Sequence, residues 1–414
     1  MKKKKLIIIG CGPKAVAIAV KAKVLKELGF VVPKISIIEK SHVGANWTGN
    51  NGYTSGDLTL GTSPLEDIGF PYVSSQKVNK LMQQYSWIAY LIATKKYGEW
   101  TDRALPAPTH KEFAAYYAWV IKKAKIPVIL GEVIGITKEK NQWKLTYLDG
   151  KKKKILLGDA LLPSGPGEPY DFSLEIEPGL DDTAKSHIFN GKNIWHHLDV
   201  LKKLENASIA VIGGGETAAG VVTGLLKMVH SSVKIEIING HGMIFTRNEN
   251  WIENRYFTNA HKWSQLSEKH RVEIIKHGDR GTFSPKVKNL LDTAMNVDIV
   301  VGKFKKASVT QDGIYVILET EKKILKKKYD FVISAHGFNP LWFVKLFQKV
   351  IPLGGLHEIV EGIDTDLSLK NFSPKLFLPT LAGLTQGPGF CNLSCLGMLS
   401  DRILMSYAKK KGGE

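Results

Sequence analysis

Two stretches of the sequence have the residue types and spacing to hold a dinucleotide. The first is Gly10-Cys11-Gly12-Pro13-Lys14-Ala15, a G-x-G-x-x-A turn. Leu6 to Ile9 before it read as a buried strand, and the alanine-rich run Ala15 to Leu28 after it reads as a helix. In that setting the first glycine makes a tight turn and the second lets backbone approach a pyrophosphate. A small third residue lets helix pack on strand, and the pyrophosphate rests on the positive helix N-terminus. Glu39 closes the next strand, Lys34 to Glu39, where an acid holds a ribose. It lies somewhat beyond the usual spacing of about 20 residues, because the loop Gly29 to Pro33 is long.

The second stretch is Gly213-Gly214-Gly215-Glu216-Thr217-Ala218, after a strand Ala207 to Ile212 and before a helix expected over Ala219 to Val229. The following strand, Val233 to Ile238, ends in Asn239-Gly240 rather than in an acid. Without a carboxylate to repel it, a 2′-phosphate can be held by an arginine, which favours NADP over NAD. Arg247 follows shortly and is the candidate, with Lys234 and Arg255 as competitors.

The elements that position these loops repeat. After the first unit come Thr109 with Glu112, a capping box opening a helix over 110–124, and a meander of strands at 128–130, 133–138, 143–148 and 153–157. Asp159 then leads an apolar strand into Gly165 and Gly167. After the second unit come a hairpin over 313–329 and Asp330, leading an apolar strand into Gly337. The region 62–110, rich in aromatics and prolines, is expected to be irregular, with a helix around 83–98. Trp47, in a glycine-rich loop, is placed either to stack near a flavin ring or to pack in the core. Near the C-terminus a strand at Leu376 meets a glycine-rich turn that is expected to enter a helix near Asn392.

The fold class is therefore α/β: two Rossmann-like dinucleotide-binding domains with β-meanders and a small, partly helical substrate region. Residues 1–170 and 325–414 are assigned to an FAD-binding domain, and residues 171–324 to an NADPH-binding domain. Two nucleotide sites in one chain point to FAD on the first and NADPH on the second, so that hydride passes to a flavin. The electrons then need an acceptor. Cys391 and Cys395 are spaced C-x-x-x-C, not C-x-x-C, and no metal-ligand spacing is present. Oxygen is left, which makes a flavin monooxygenase.

Composition sets bounds on the partners. The net charge of +18 sits in short lysine runs at 2–5, 151–154, 326–328 and 409–411, without the aromatic interleaving of a nucleic-acid surface. No apolar run of about 18 residues is present, so no integral membrane association is expected. With three cysteines in 414 residues, a disulfide framework is not expected and a cytoplasmic location is. The protein is expected to be a homo-oligomer.

Several segments resemble one family. Gly44-Ala45-Asn46-Trp47, the segments 60–72 and 85–94, VIGGGETAA at 211–219 and the block 374–402 are similar to the flavin-dependent N-hydroxylating monooxygenases of siderophore biosynthesis, above all the mycobactin-type lysine N6-hydroxylases. The resemblance implies FAD, NADPH and O2, a C4a-hydroperoxyflavin, and attack on it by the neutral side-chain amine of lysine or ornithine. It implies no catalytic acid or base. It also implies that Asn254 binds the amino-acid end of the substrate, that Ser394 lies near its amine and that Leu393 lies by the flavin. Thr282 and Ser284 stand where the family has an asparagine and a serine, by the substrate and the nicotinamide ribose. The family's ornithine hydroxylases hold the substrate carboxylate with a lysine just before an Asp-Leu pair. Here Gly56 precedes Asp57-Leu58. Free lysine held otherwise, an acylated or carrier-bound lysine, ornithine or another amine therefore stay open as substrates. A monooxygenase of sulfur or carbonyl groups, for which Phe189-x-Gly191 and His196 give a loose fingerprint, and a non-catalytic FAD scaffold are the rival classes.

Overall fold

The computed structural model describes residues 4–410 apart from 51, 73–74, 171, 181, 248–249, 350 and 408. Its frame is one α/β unit inserted into another. The apolar run Lys5–Ile9 pairs in parallel with Lys34–Glu39 on one side and Ala160–Pro163 on the other. Val128–Leu130 and Lys375–Leu376 extend this sheet at its two edges. Both faces are covered, so the central strand is apolar throughout and buried from Leu6 to Ile9. Each such side chain contributes about 1.5–3 kcal/mol by leaving water.

The second sheet repeats the arrangement. Ser208–Ile212 pairs in parallel with Lys234–Asn239 and with Phe331–Ser334. Val297–Val301 and Ile188–Asn190 form the edges. Each sheet also carries an antiparallel meander: Glu132–Glu139, Gln142–Asp149 and Lys152–Gly158 in the first half, and Lys303–Thr310, Gly313–Glu319 and Ile324–Tyr329 in the second.

The sheets correct the domain boundary. The hairpin 313–329 and the strand Phe331–Ser334 belong to the second unit, because Val316, Leu318, Tyr329 and Val332 share a core with Ala210 and Ile212. The chain rejoins the first core only from Leu341, with Phe343 fully buried there. The return to the FAD-binding domain therefore falls between residues 335 and 341 rather than at 325.

Helix limits shift for local reasons. The expected capping box is formed: the Thr109 side chain accepts from the Glu112 N–H, and Glu112 accepts from the Thr109 N–H. The region 83–98 is broken instead of being one helix. Ser86 caps a new helix, Trp87–Ala93, and a third runs over Tyr97–Asp102. The helix after the second glycine loop begins at Glu216, directly on Gly215, and ends at Leu226. The last helix begins at Leu396, so Asn392 to Ser394 lie in the turn before it. Among the described residues no helix is long and apolar enough to cross a membrane, and no three metal-binding side chains are grouped.

The Leu396–Met405 helix packs along Pro13–Glu27, the helix that follows the first glycine loop. Lys21, 2% exposed, meets Asp401 there at 2.9 Å. Burial pushes the Asp401 carboxyl up, while the Lys21 ammonium pulls it back toward the ionised form. Asp401→Ala removes the carboxylate that faces a buried ammonium. It is expected to cost on the order of 3 kcal/mol, measured as a lower thermal midpoint of the FAD-loaded protein; Asp401→Glu is expected to recover part of the loss.

Candidate functional site

The two glycine loops open onto one cleft of about 1800 Å3. In the first loop, Gly10 takes φ +94°, and a Cβ there would lie 2.8 Å from the Ser164 hydroxyl. Gly12 is extended, and a Cβ there would meet nothing within 4 Å. Its backbone faces open space at the start of the helix, as a pyrophosphate needs. Pro13 is the first helical residue, and Ala15 is fully buried as the small residue between helix and strand. Glu39 accepts from the Cys11 N–H at 2.7 Å and the Ser41 N–H at 2.9 Å, which fixes its carboxylate at the ribose end of the loop. Burial, with the charge of Glu39, pushes the Cys11 thiol up to about 12, so it is inert. Trp47 lines the cleft and also packs on His110, with ring centres 4.9 Å apart. These residues fit FAD.

The second loop is more enclosed. A Cβ on Gly213 would lie 2.4 Å from the Ala335 carbonyl, and one on Gly215 would lie 2.4 Å from the Arg280 carbonyl. The turn Lys276–Arg280 therefore lies close against the second glycine of this loop. Thr217 and Ser284 line the cleft on this side.

Basic side chains other than Arg247 also line the cleft at the ribose end of the second loop. The Asn239 side chain accepts from the His241 and Gly242 N–H groups at 2.9 Å, closing a turn without an acid. His241 and Lys303 line the cleft beside it. Arg247 does not reach this corner. Its guanidinium lies 4.0 Å from the Phe257 ring centre, with Nη2 3.5 Å from the Ser394 hydroxyl. Its Nε is buried without a hydrogen-bond partner. Lys234 pairs with Glu236 at the far end of its strand and does not line the cleft.

The C-terminal turn meets both loops. Lys14 donates to the carbonyls of Cys391 at 2.8 Å and Asn392 at 3.4 Å. Burial pushes the Lys14 ammonium down to about 8. Asn392 donates to Asp279 at 3.2 Å and accepts from the Ser394 N–H at 2.8 Å. Leu393 and Ser394 are thereby held in the cleft wall. Thr282 does not join them: it is 2% exposed, and its hydroxyl donates to the Asp279 carbonyl.

A second pocket of about 220 Å3 adjoins this wall, and Ser394 and Arg247 line both spaces. Asn254 lines the small pocket. The structure thus brings Asn254 and Ser394 together, as the resemblance implied. Gly56 is in neither lining; its Cβ position is blocked by the Thr48 carbonyl at 2.7 Å. The residue in the pocket that precedes an acid is Glu66, before Asp67-Ile68. Sequence reading missed Glu66, Lys14, Asp279 and Arg280. For Glu66 a signal existed, an Asp-Ile pair one step away from the Asp-Leu pattern.

All three thiols are free, and Cys395 is fully buried with its thiol pushed far up by burial. A thiol raised in this way is a poor nucleophile.

Known proteins share this arrangement. A family profile described as L-lysine 6-monooxygenase/L-ornithine 5-monooxygenase matches residues 2–295. The L-lysine N6-monooxygenase MbtG of Mycobacterium tuberculosis (strain CDC 1551 / Oshkosh) is 37% identical, covering 96% of this chain and 94% of its own length. MbtG of Mycolicibacterium paratuberculosis is 36% identical, covering 97% of this chain and 95% of its own. Among solved structures, the lysine monooxygenase NbtG of Nocardia farcinica, described as having an unprecedented NADPH domain conformation, superposes with a TM-score of 0.83 at 32% identity, covering 97% of this chain and 99% of that one. An ornithine hydroxylase of Pseudomonas aeruginosa shares the fold at TM-score 0.73 and 17% identity, covering 98% of each chain.

The glycines of the two loops differ in a way that mutation can read. Gly12→Ala meets no protein atom, so the apoprotein is expected to keep its thermal midpoint and lose its flavin, visible as a colourless preparation. Gly215→Ala forces the Arg280 turn to move and is expected to cost the apoprotein about 1–3 kcal/mol, measured by the same melt.

Proposed function

The chain belongs to the L-lysine 6-monooxygenase/L-ornithine 5-monooxygenase family, and on that premise we propose that it hydroxylates L-lysine at N6 with NADPH and O2, in the making of a siderophore or another hydroxamate. The observation that supports this most is the wall at Ser394, which lines both the large cleft and the small pocket that also holds Asn254. Bound FAD supplies hydride acceptance and oxygen activation, and NADPH supplies the hydride.

The chain's own residues bind, orient and exclude. Gly10, Gly12, Pro13 and Glu39 hold the FAD diphosphate and ribose, with Trp47 and Leu393 against its ring system. Gly213, Gly215, Thr217 and Ser284 hold the nicotinamide nucleotide, with His241 and Lys303 near its 2′-phosphate. Ser394 orients the side-chain amine, and Asn254 holds the amino-acid end. The enclosed wall around Leu393 keeps water from the reacting centre.

Arg247 takes a different part from the phosphate-binding one first considered. A guanidinium 3.5 Å from the Ser394 hydroxyl disfavours the ammonium form of an amine bound there, and only the neutral amine is a nucleophile. The reading includes a cytoplasmic, homo-oligomeric protein. The free thiols support the first part, and the exposed Ile88, Ile92, Tyr97 and Leu105 offer an apolar surface for the second.

The deciding experiment is an amine panel with hydroxylamine detection beside NADPH consumption. L-lysine is expected to yield hydroxylamine coupled to NADPH oxidation, more efficiently than ornithine. Peroxide formed at the same rate whichever amine is added would remove lysine as the substrate. For Arg247→Met the bound amine holds its proton more tightly, so the acid limb of the kcat profile is expected to move up by roughly one pH unit. An unmoved limb would leave Arg247 without a part in keeping the amine neutral.

A further inference from the structure

We propose that the small pocket selects a free α-amino acid by its two opposite charges, with Glu66 taking the α-ammonium group and Arg255 the α-carboxylate. This rests on the amine-hydroxylation reading above and deepens it.

The pocket presents one carboxylate, Glu66, and two guanidinium groups, Arg247 and Arg255, together with Asn254 and Ser394. The guanidinium groups are not equivalent. Arg247 sits at the neck, shared with the main cleft and directed at Ser394. Arg255 sits on the Asn254 helix, over the ring of Trp251 at 4.9 Å, and Trp251 is 73% exposed. Arg255 therefore marks the outer end, where the α-carbon of a lysine lies once its amine has reached Ser394. Among the described residues, neither Glu66 nor Arg255 has an ion-pair partner. Among the described residues, Glu66 accepts only from the Thr62 hydroxyl, at 2.8 Å, which leaves acceptor capacity for a cation.

The position of Glu66 is fixed by its neighbours. The buried Asp67 carboxylate accepts from the Gly69 N–H, the Tyr72 hydroxyl and the Trp87 N–H. The Phe70 carbonyl accepts from the Gly397 N–H at 2.7 Å, and a Cβ on Gly397 would lie 2.2 Å from the Gly69 carbonyl. The loop that carries Glu66 is thus strapped to the start of the helix that follows Ser394. The Glu66 carboxylate and the Ser394 hydroxyl are therefore carried by segments that are hydrogen-bonded to each other.

A carboxylate in this place reverses the charge of the lysine that the resemblance called for. It repels an α-carboxylate and attracts an α-ammonium. The carboxylate's partner then has to be the guanidinium at the outer end. Nα-acylation of lysine removes the charge Glu66 reads, and esterification to a carrier removes the charge Arg255 reads. Free lysine alone satisfies both.

The test compares binding of three amines to the FAD-loaded enzyme in the presence of NADP+, by calorimetry. Cadaverine lacks the carboxylate, and 6-aminohexanoate lacks the α-ammonium. The wild type is expected to bind L-lysine more tightly than either, by roughly tenfold or more. Arg255→Met is expected to weaken L-lysine and 6-aminohexanoate by that factor and leave cadaverine unchanged. Glu66→Gln is expected to weaken L-lysine and cadaverine and leave 6-aminohexanoate unchanged. A variant that weakens all three alike, or none, overturns the proposal. Hydroxylamine formation is measured separately on the wild type. An enzyme that hydroxylates an amine but does not favour L-lysine over the two analogues loses the charge reading and keeps the activity. An enzyme that binds L-lysine with the expected pattern but hydroxylates nothing keeps the charge reading and loses the activity.

Discussion

Lys14 ties the first glycine loop to the turn that precedes the last helix. It stands inside the first glycine loop, and its ammonium reaches across the cleft to the carbonyls of Cys391 and Asn392. The same turn, bearing Leu393 and Ser394, is held from the other side by the Asn392 side chain donating to Asp279. Two turns further along the same helix face, Lys21 holds Asp401. The helix whose N-terminus faces the flavin diphosphate therefore also fixes, through its side chains, the wall beside the flavin ring. Burying two ammonium groups along one helix is costly in itself. Here each finds oxygen partners, and the positions of these charges tolerate little displacement.

Much of the fold was legible because it is written in short, local patterns. The strand, glycine turn and helix at residues 5–27 and 208–226 need no distant information, and neither does the capping box at Thr109 and Glu112. The domain boundary was not local. Which unit owns the hairpin 313–329 depends on whether its apolar face packs on Ala210 or on the first core, and both choices suit the same alternating pattern. The broken helices over 76–102 were likewise set by Ser75 and Ser86, whose caps compete with helix continuation.

The site divides in the same way. Gly10, Gly12, Gly213 and Gly215 stand out in the sequence because what they offer is backbone geometry, and Glu39 because an acid closes the strand after the first loop. Asn254 and Ser394 were readable through resemblance. Arg247 was misplaced because spacing along the chain says how soon a cation follows a strand but not where its long side chain turns. It turned back onto Phe257 and away from the ribose corner. Gly56 was taken for the carboxylate position because it precedes an Asp-Leu pair. The structure puts Glu66 in the pocket instead, and charge at that point is what distinguishes this chain's pocket from one built around a lysine.

One unit inserted within another also sets an order of events during synthesis. At about 5–20 residues per second on the ribosome, the second sheet has all five of its strands once residue 334 has emerged. The first sheet still lacks Lys375–Leu376 at that moment, and the first helix still lacks the partner that brings Asp401. The nicotinamide-binding unit is then the first to complete its core, while the flavin-binding unit waits with one flank open to solvent. The first sheet and the Lys21 contact on its helix are completed only by segments beyond residue 374.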